Sequence, residues 1–296
     1  MKKQTNIKSI DPTSISQQEL HGYLLSAVAP RPICFASTID KDGNVNLSPF
    51  SYFNLFSVNP PIMVFSPSRR GRDNTTKHTL DNVLEVKETV INIVNYDMVE
   101  QMSLSSTEYA HGVNEFVKAG FTQVPSEKVK PPRVGEAPVA FECVVDQVIA
   151  LGDEGGAGNL VLAKVVKIHI NEAFLDKEGN LDTPKLDLVA RMGGNWYCRA
   201  NGDALFEIPK PIRTHGIGVD SLPQEVRESS VLTGNNLGRL GNLEEIPTRE
   251  TIDRIAGHPE VKSVLELSDT VTEKHKLAQK WINEGHTEDA LALLHL

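Results

Sequence analysis

Apolar and polar positions alternate along much of the first two hundred residues, and a period of two predicts strands. Residues 33–39 are apolar and β-branched, residues 40–43 read Asp-Lys-Asp-Gly, and residues 44–47 alternate polar with apolar. Gly takes positive φ freely and Asp bonds its own backbone, so this stretch predicts strand, tight turn, strand. Residues 62–65 and 90–94 are short, apolar and strand-like. Residues 139–151 and 160–170 are the longest strand candidates, and the brief GDEGGAGN link between them predicts an antiparallel hairpin.

Helical signals are sparser. Residues 11–20 predict a short helix with Ser14 or Ser16 as N-cap. Another opens at Thr79, taken as its N-cap, and continues through Leu80, Val83 and Leu84. A third, capped by Asn95 or Asp97, passes through Met98, Met102 and Leu104, and residues 114–119 make one more turn ended by Gly120. From about residue 206 the strand pattern stops, and Pro209, Pro211 and Pro223 interrupt the chain. Residues 248–255, 261–267, 270–282 and 290–294 then follow a helical period. The expected organisation is a β-rich domain over 1–205 and a mostly helical extension over 206–296. Short strands with local connections predict a small β-barrel for the first part.

Composition narrows the function. The 296 residues are 40% hydrophobic and 23% charged, an ordinary globular balance. A formal charge of −9 argues against nucleic-acid and anionic-membrane partners, which need a basic surface. The basic start MKKQTNIKSI runs into polar DPTSISQQEL rather than an apolar core, so it is not read as a signal peptide. Cys34, Cys143 and Cys198 are widely spaced, with no CxxC or Cys/His metal pattern, which fits a reduced, cytoplasmic setting.

Within this acidic chain, residues 66–79 carry four cations and five hydroxyls in fourteen positions. Such a segment leading into a helix start predicts an anion site, because free backbone N–H groups and the helix dipole both favour negative charge. Before it, residues 48–54 (SPFSYFN) crowd hydroxyls, amide and aromatic rings together. Flat ring surface beside an anion site describes a phosphate-tailed aromatic ligand such as FMN. The Gly-rich segment 152–159 is rejected as a phosphate loop, since VLAKVVKIHI after it is β in character and a dinucleotide fingerprint must open a helix. Gly193-Gly194 before Trp196-Tyr197 suggests a close backbone approach, with Trp196 as a lid on the core. His111 and His169 are weaker candidates for lining a site, and Cys34 reads as a small core residue.

The segments RPICFASTIDKDGNVNLSPFSYFNLFSVNPP, KHTLDN at 77–82, VINIV, and VVKIHINE followed by LDTPKLDLVARMGGNWY carry a resemblance. Over roughly residues 20–200 the chain resembles the flavin reductase-like family with an FMN-binding split barrel, which includes flavoredoxins and the reductase components of two-component monooxygenases. The resemblance implies a six-stranded antiparallel Greek-key barrel, a homodimer, FMN as cofactor, and hydride transfer from NADH or NADPH to flavin. It implies that Thr38, Asn46, Ser48, Phe50 and Ser51 face the ring, and that Ser66, Arg69, Lys77 and Thr79 face the phosphate. His78 stands where the family usually has Asp between Lys and Thr. Two other functions remain open at this point: a flavoredoxin-like FMN electron carrier docking to a redox or monooxygenase partner, and a split barrel that binds without flavin. The extension after residue 206 lies outside the resemblance.

Overall fold

The computed structural model describes residues 6–208 and 211–296, so Pro209 lies outside the described residues. The chain divides into two compact units, residues 1–206 and 207–296.

The first unit opens with α1 (Gln17–Ala27), capped by the Ser16 hydroxyl on the Glu19 N–H. This helix starts later and runs longer than the expected 11–20. Four strands follow, β1 (Cys34–Ile39), β2 (Val45–Phe50), β3 (Phe53–Val58) and β4 (Pro61–Phe65), then α2 (His78–Glu85) and β5 (Glu88–Ile93). After α3 (Val99–Leu104) and α4 (Glu115–Ala119), a two-stranded ribbon pairs β6 (Gln123–Val124) with β7 (Arg133–Val134). The long hairpin is β8 (Val139–Ala150) with β9 (Asn159–Ile170), antiparallel as expected. A last ribbon, β10 (Val189–Arg191) with β11 (Tyr197–Arg199), replaces the loop expected there, and Trp196 between them is exposed rather than a lid. Gly193 does approach a neighbour closely: a Cβ there would collide with the Ser26 side chain.

Seven strands form one antiparallel sheet in the order β2-β1-β5-β8-β9-β4-β3. The resemblance implied six. The sheet's two edges, β2 and β3, are consecutive in the chain and joined by Ser51 and Tyr52 alone. Seven flat strands would span about 29 Å, whereas a two-residue link reaches only about 11 Å. The sheet must therefore curl enough to bring the end of β2 close to the start of β3, although these two edge strands are not paired with each other. The packing agrees, because Phe50, Cys34, Ala36, Ile91, Cys143, Val161, Ala163 and Phe65 come from six strands and share one core cluster with Leu80 and Val83 of α2. Neighbouring residues Ile33, Phe35 and Leu47 join a second cluster with Met98, Met102, Phe116 and Phe121. Both faces of β1 are thus buried, which is why residues 33–36 read as a continuous apolar run and why Ser37 and Thr38 after them are buried too.

The β1–β2 turn forms as its residues predict. The Asp40 carboxylate accepts from the backbone N–H groups of Asp42 and Asn44 and from the Asn44 amide, while Gly43 holds φ at 87°. This turn fixes the register that sets Thr38 opposite Asn46.

The second unit is helical, with its main helices at Gly234–Gly241, Arg249–Ala256, Pro259–Leu265, Thr270–Asn283 and Thr287–Leu293. Thr233 and Asn236 form a capping box at the first of these, and the Thr248 hydroxyl caps the second. Leu240, Ile255, Val261, Trp281, Ile282, Leu291 and Leu293 close a core of their own.

Candidate functional site

In the first unit a cleft of about 510 Å³ is lined by residues of the β2–β3 corner, the 66–77 loop, α1 and the β8–β9 turn. That volume lies within the 300–1,000 Å³ typical of small-molecule sites. Phe50, Ser51, Ser66, Arg69 and Lys77 all line it, together with Tyr52, Arg70, Arg72, His21, Leu25 and Glu108. A smaller adjoining pocket of about 70 Å³ holds Asn46, Ser48 and Thr79, and also touches Lys77, Arg70 and Glu108. The two groups expected to meet a ring and a phosphate therefore converge, apart from Thr38. Thr38 is fully buried, where its hydroxyl accepts from the Asn82 amide at 3.0 Å.

Helix α2 begins at His78, so Lys77, not Thr79, occupies the N-cap position, and no side chain caps the end. Thr79 is held otherwise: its hydroxyl accepts from the buried Asn46 amide at 2.9 Å and keeps its own proton to donate. The Lys77 ammonium has no hydrogen-bond or ion-pair partner among the described residues, and it lies 5.5 Å from the Phe50 ring centroid. Burial, and then the neighbouring Arg70 charge, lower its pKa from the ordinary lysine value. An unpaired, partly desolvated cation beside an uncapped helix start is well placed to receive an anion.

The Gly-rich turn rejected as a phosphate loop has a mechanical role instead. Arg69 N–H donates to Ala157 O at 2.8 Å, Gly156 N–H donates to Arg69 O at 3.0 Å, and the Asn74 amide reaches Asp153 O. Gly155 lets the two backbones approach, since a Cβ there would sit 3.1 Å from Arg70 O. Ser66 belongs to the same buttress, its hydroxyl accepting the Asn159 N–H at 3.0 Å. The Arg69 guanidinium is spent on the loop itself, donating to the side chain and carbonyl of Asn74, both at 2.6 Å. The cation loop is thus held by the long hairpin rather than left to solvent.

Three contributors were missed by sequence reasoning. Arg31 is buried and donates to Leu25 O, Val28 O and Met192 O, with Ser51 3.4 Å from its Nε, which ties α1 and the 192 segment to the cleft corner. Glu115 is buried with its carboxylate on the Leu47 N–H at 2.9 Å, and burial raises its pKa. Glu108 bridges two cleft arginines. The only signal for Arg31 was its place between two prolines; Glu108 and Glu115 gave none. His111 lies 3.3 Å from Asp40 and edge-on to His78, whereas His169 pairs with the buried Glu142 carboxylate at 2.6 Å. Glu142 also accepts the backbone N–H groups of Glu127, Lys128 and Val129, so His169 closes a structural cage.

Residues 26–185 match the flavin reductase like domain, which is more than half of the chain, and the protein belongs to that family. An uncharacterized protein of Aquifex aeolicus is 38% identical over 189 residues, covering 64% of this chain and 94% of that protein. Among solved structures, nitrilotriacetate monooxygenase component B from Bacillus cereus is 28% identical with a TM-score of 0.64, covering 69% of this chain and all of that one. Flavoredoxin of Desulfovibrio vulgaris shares the fold, with a TM-score of 0.53 at 21% identity over 63% of this chain and 93% of its own. The family match ends before the helical unit begins. Among the described residues no helix is long and apolar enough to cross a membrane.

Proposed function

We propose that the protein is an FMN-binding NAD(P)H:flavin reductase whose cofactor sits in the cleft of the β unit. The observation that carries this reading is the convergence of an unpaired Lys77, the α2 start and the Thr79 hydroxyl with the Phe50–Ser51–Tyr52 corner. The donor set fits FMN: cation and hydroxyl for a phosphate, aromatic and small polar groups for a ring. Asn46, Ser48, Phe50 and Ser51 would hold the ring, and Ser66, Lys77 and Thr79 the phosphate end, with Arg69 keeping the loop in shape. Bound FMN would supply the acceptor for hydride from NADH or NADPH, so a general base is not required of the protein. The chain's own task is to orient the two rings, exclude water and hold donors toward the reduced flavin.

The same reading makes the protein a cytoplasmic homodimer built on a six-stranded split barrel, with β3 as an added edge. β3 supports the dimer, since Phe56 and Val58 on this edge strand are 70% and 79% exposed, and Ile168 and Ile170 of β9 are exposed as well. Kinship with a monooxygenase component B favours a partner that uses the reduced flavin. Equilibrium titration of the purified chain with FMN tests the assignment. Binding with a rise in melting temperature is the expected result; a colourless protein that FMN neither binds nor stabilises defeats it.

A further inference from the structure

One acid in the cleft comes from outside the cation loop. Glu108 lies in the turn after α3, yet its carboxylate reaches Arg70 Nε at 3.2 Å and Arg72 Nη2 at 2.6 Å. Asp73 takes a second donor of Arg72 at 3.0 Å, and the Arg70 guanidinium also holds Thr75 and Thr76. Glu108 borders both the cleft and the smaller pocket, and its charge acts on Lys77 as well. Two carboxylate oxygens spread over two guanidinium groups reproduce how arginines grip phosphate oxygens. The Arg70 arm matters more, because its side chain is 18% exposed against 69% for Arg72, and an exposed pair contributes little.

Resting on the flavin reading above, we infer that Glu108 is a tethered counter-ion that takes the phosphate's place on Arg70 and Arg72 whenever no flavin is bound. The phosphate of FMN displaces it from Arg70 and Arg72. Each binding event then loses an internal ion pair, which lowers affinity for phosphorylated flavin and leaves riboflavin, with no phosphate, untouched. Glu108 therefore tunes the site toward flavin that exchanges rather than flavin that is held. This suits a reductase that hands its product on.

The test uses the full chain, wild type and Glu108→Gln, titrated with FMN and with riboflavin. Amide hydrogen exchange of residues 105–112 is followed in the wild type with and without FMN. Glu108→Gln is expected to bind FMN about three- to tenfold more tightly, with riboflavin affinity changed by less than about twofold. Saturating FMN is expected to speed exchange in the released turn. Equal or weaker FMN affinity in Glu108→Gln overturns the proposal, as does slower exchange of the turn on binding; both leave the flavin reading standing. Wild-type protein that binds no FMN overturns the flavin reading and this inference with it. The exchange measurement needs no variant, so a misfolded Glu108→Gln does not remove the test.

Discussion

The two units bury polar groups very differently. In the helical unit the core is leucine, isoleucine, valine, alanine and one tryptophan, and among the described residues the buried polar ones are Asn236, Lys274 and His275. In the β unit Arg31, Thr38, Asp40, Asn46, Ser66, Thr79, Asn82 and Glu115 are all buried, and most lie around the cleft or one bond away from it. A buried polar group stabilises nothing unless it is bonded, so a fold that carries so many must use them to hold something in place. The contrast teaches that polar burial, rather than cavity size alone, marks the working part of this chain. The helical unit has a cavity of about 440 Å³ too, bordered by Glu244, Glu245 and Glu288, but none of the polar residues lining it is buried.

The sharpest way to break this contrast is to damage each unit's core separately. Trp281→Ala removes a large buried side chain from the helical core and is expected to cost that unit about 3–5 kcal/mol. FMN affinity should stay within about twofold, measured by calorimetric melting and flavin titration on the same sample. Loss of FMN binding in Trp281→Ala would tie the site to the helical unit and erase the distinction.

Next in size is the anion site. Lys77→Ala with Thr79→Ala removes a charge-assisted contact and a hydroxyl, and FMN binding should weaken by about 2–3 kcal/mol, a factor of roughly 30 to 150. The double variant should leave riboflavin binding nearly unchanged. A third test uses pH. The charged form of Lys77 is the one that pairs with phosphate, and its pKa is lowered by burial and by Arg70. FMN affinity should therefore be highest below that lowered pKa and fall as pH rises through it, earlier than an ordinary lysine would permit. Lys77→Arg, whose guanidinium keeps its proton, should flatten the alkaline limb. An unchanged profile in Lys77→Arg would assign the pH dependence elsewhere.

The smallest expected effect separates framework from site within the β unit. Thr38→Ala breaks the bond from Asn82 and should cost about 1 kcal/mol of stability, while FMN affinity holds. The resemblance had placed Thr38 on the ring. Thr38 lies opposite Asn46 in the ladder and shares its face, but Asn82 of α2 covers it there and takes up its hydroxyl.

What the sequence revealed follows the range of the forces involved. The β1–β2 turn, the β8–β9 hairpin, the Asn114 and Gly120 ends of α4, and the helices after Thr248 are fixed by neighbours a few residues away, and each was legible. Local signals also brought Phe50, Ser51, Ser66 and Lys77 into one candidate site. The buttress from Gly155–Ala157 to Arg69 and the reach of Glu108 to Arg70 are contacts between segments tens of residues apart, with no local period to announce them. Thr79 shows the limit at short range. It has a good N-cap residue's chemistry, yet Asn46, 33 positions earlier, claims its hydroxyl and the helix starts at His78 instead.

The most direct measurement is the absorbance of FMN-saturated protein when NADH or NADPH is added without oxygen. The flavin band near the cleft's aromatic corner should bleach with one of the two nucleotides, at a rate far above that of free FMN. A bound flavin that neither nucleotide bleaches would contradict the reductase reading and leave a flavin carrier in its place.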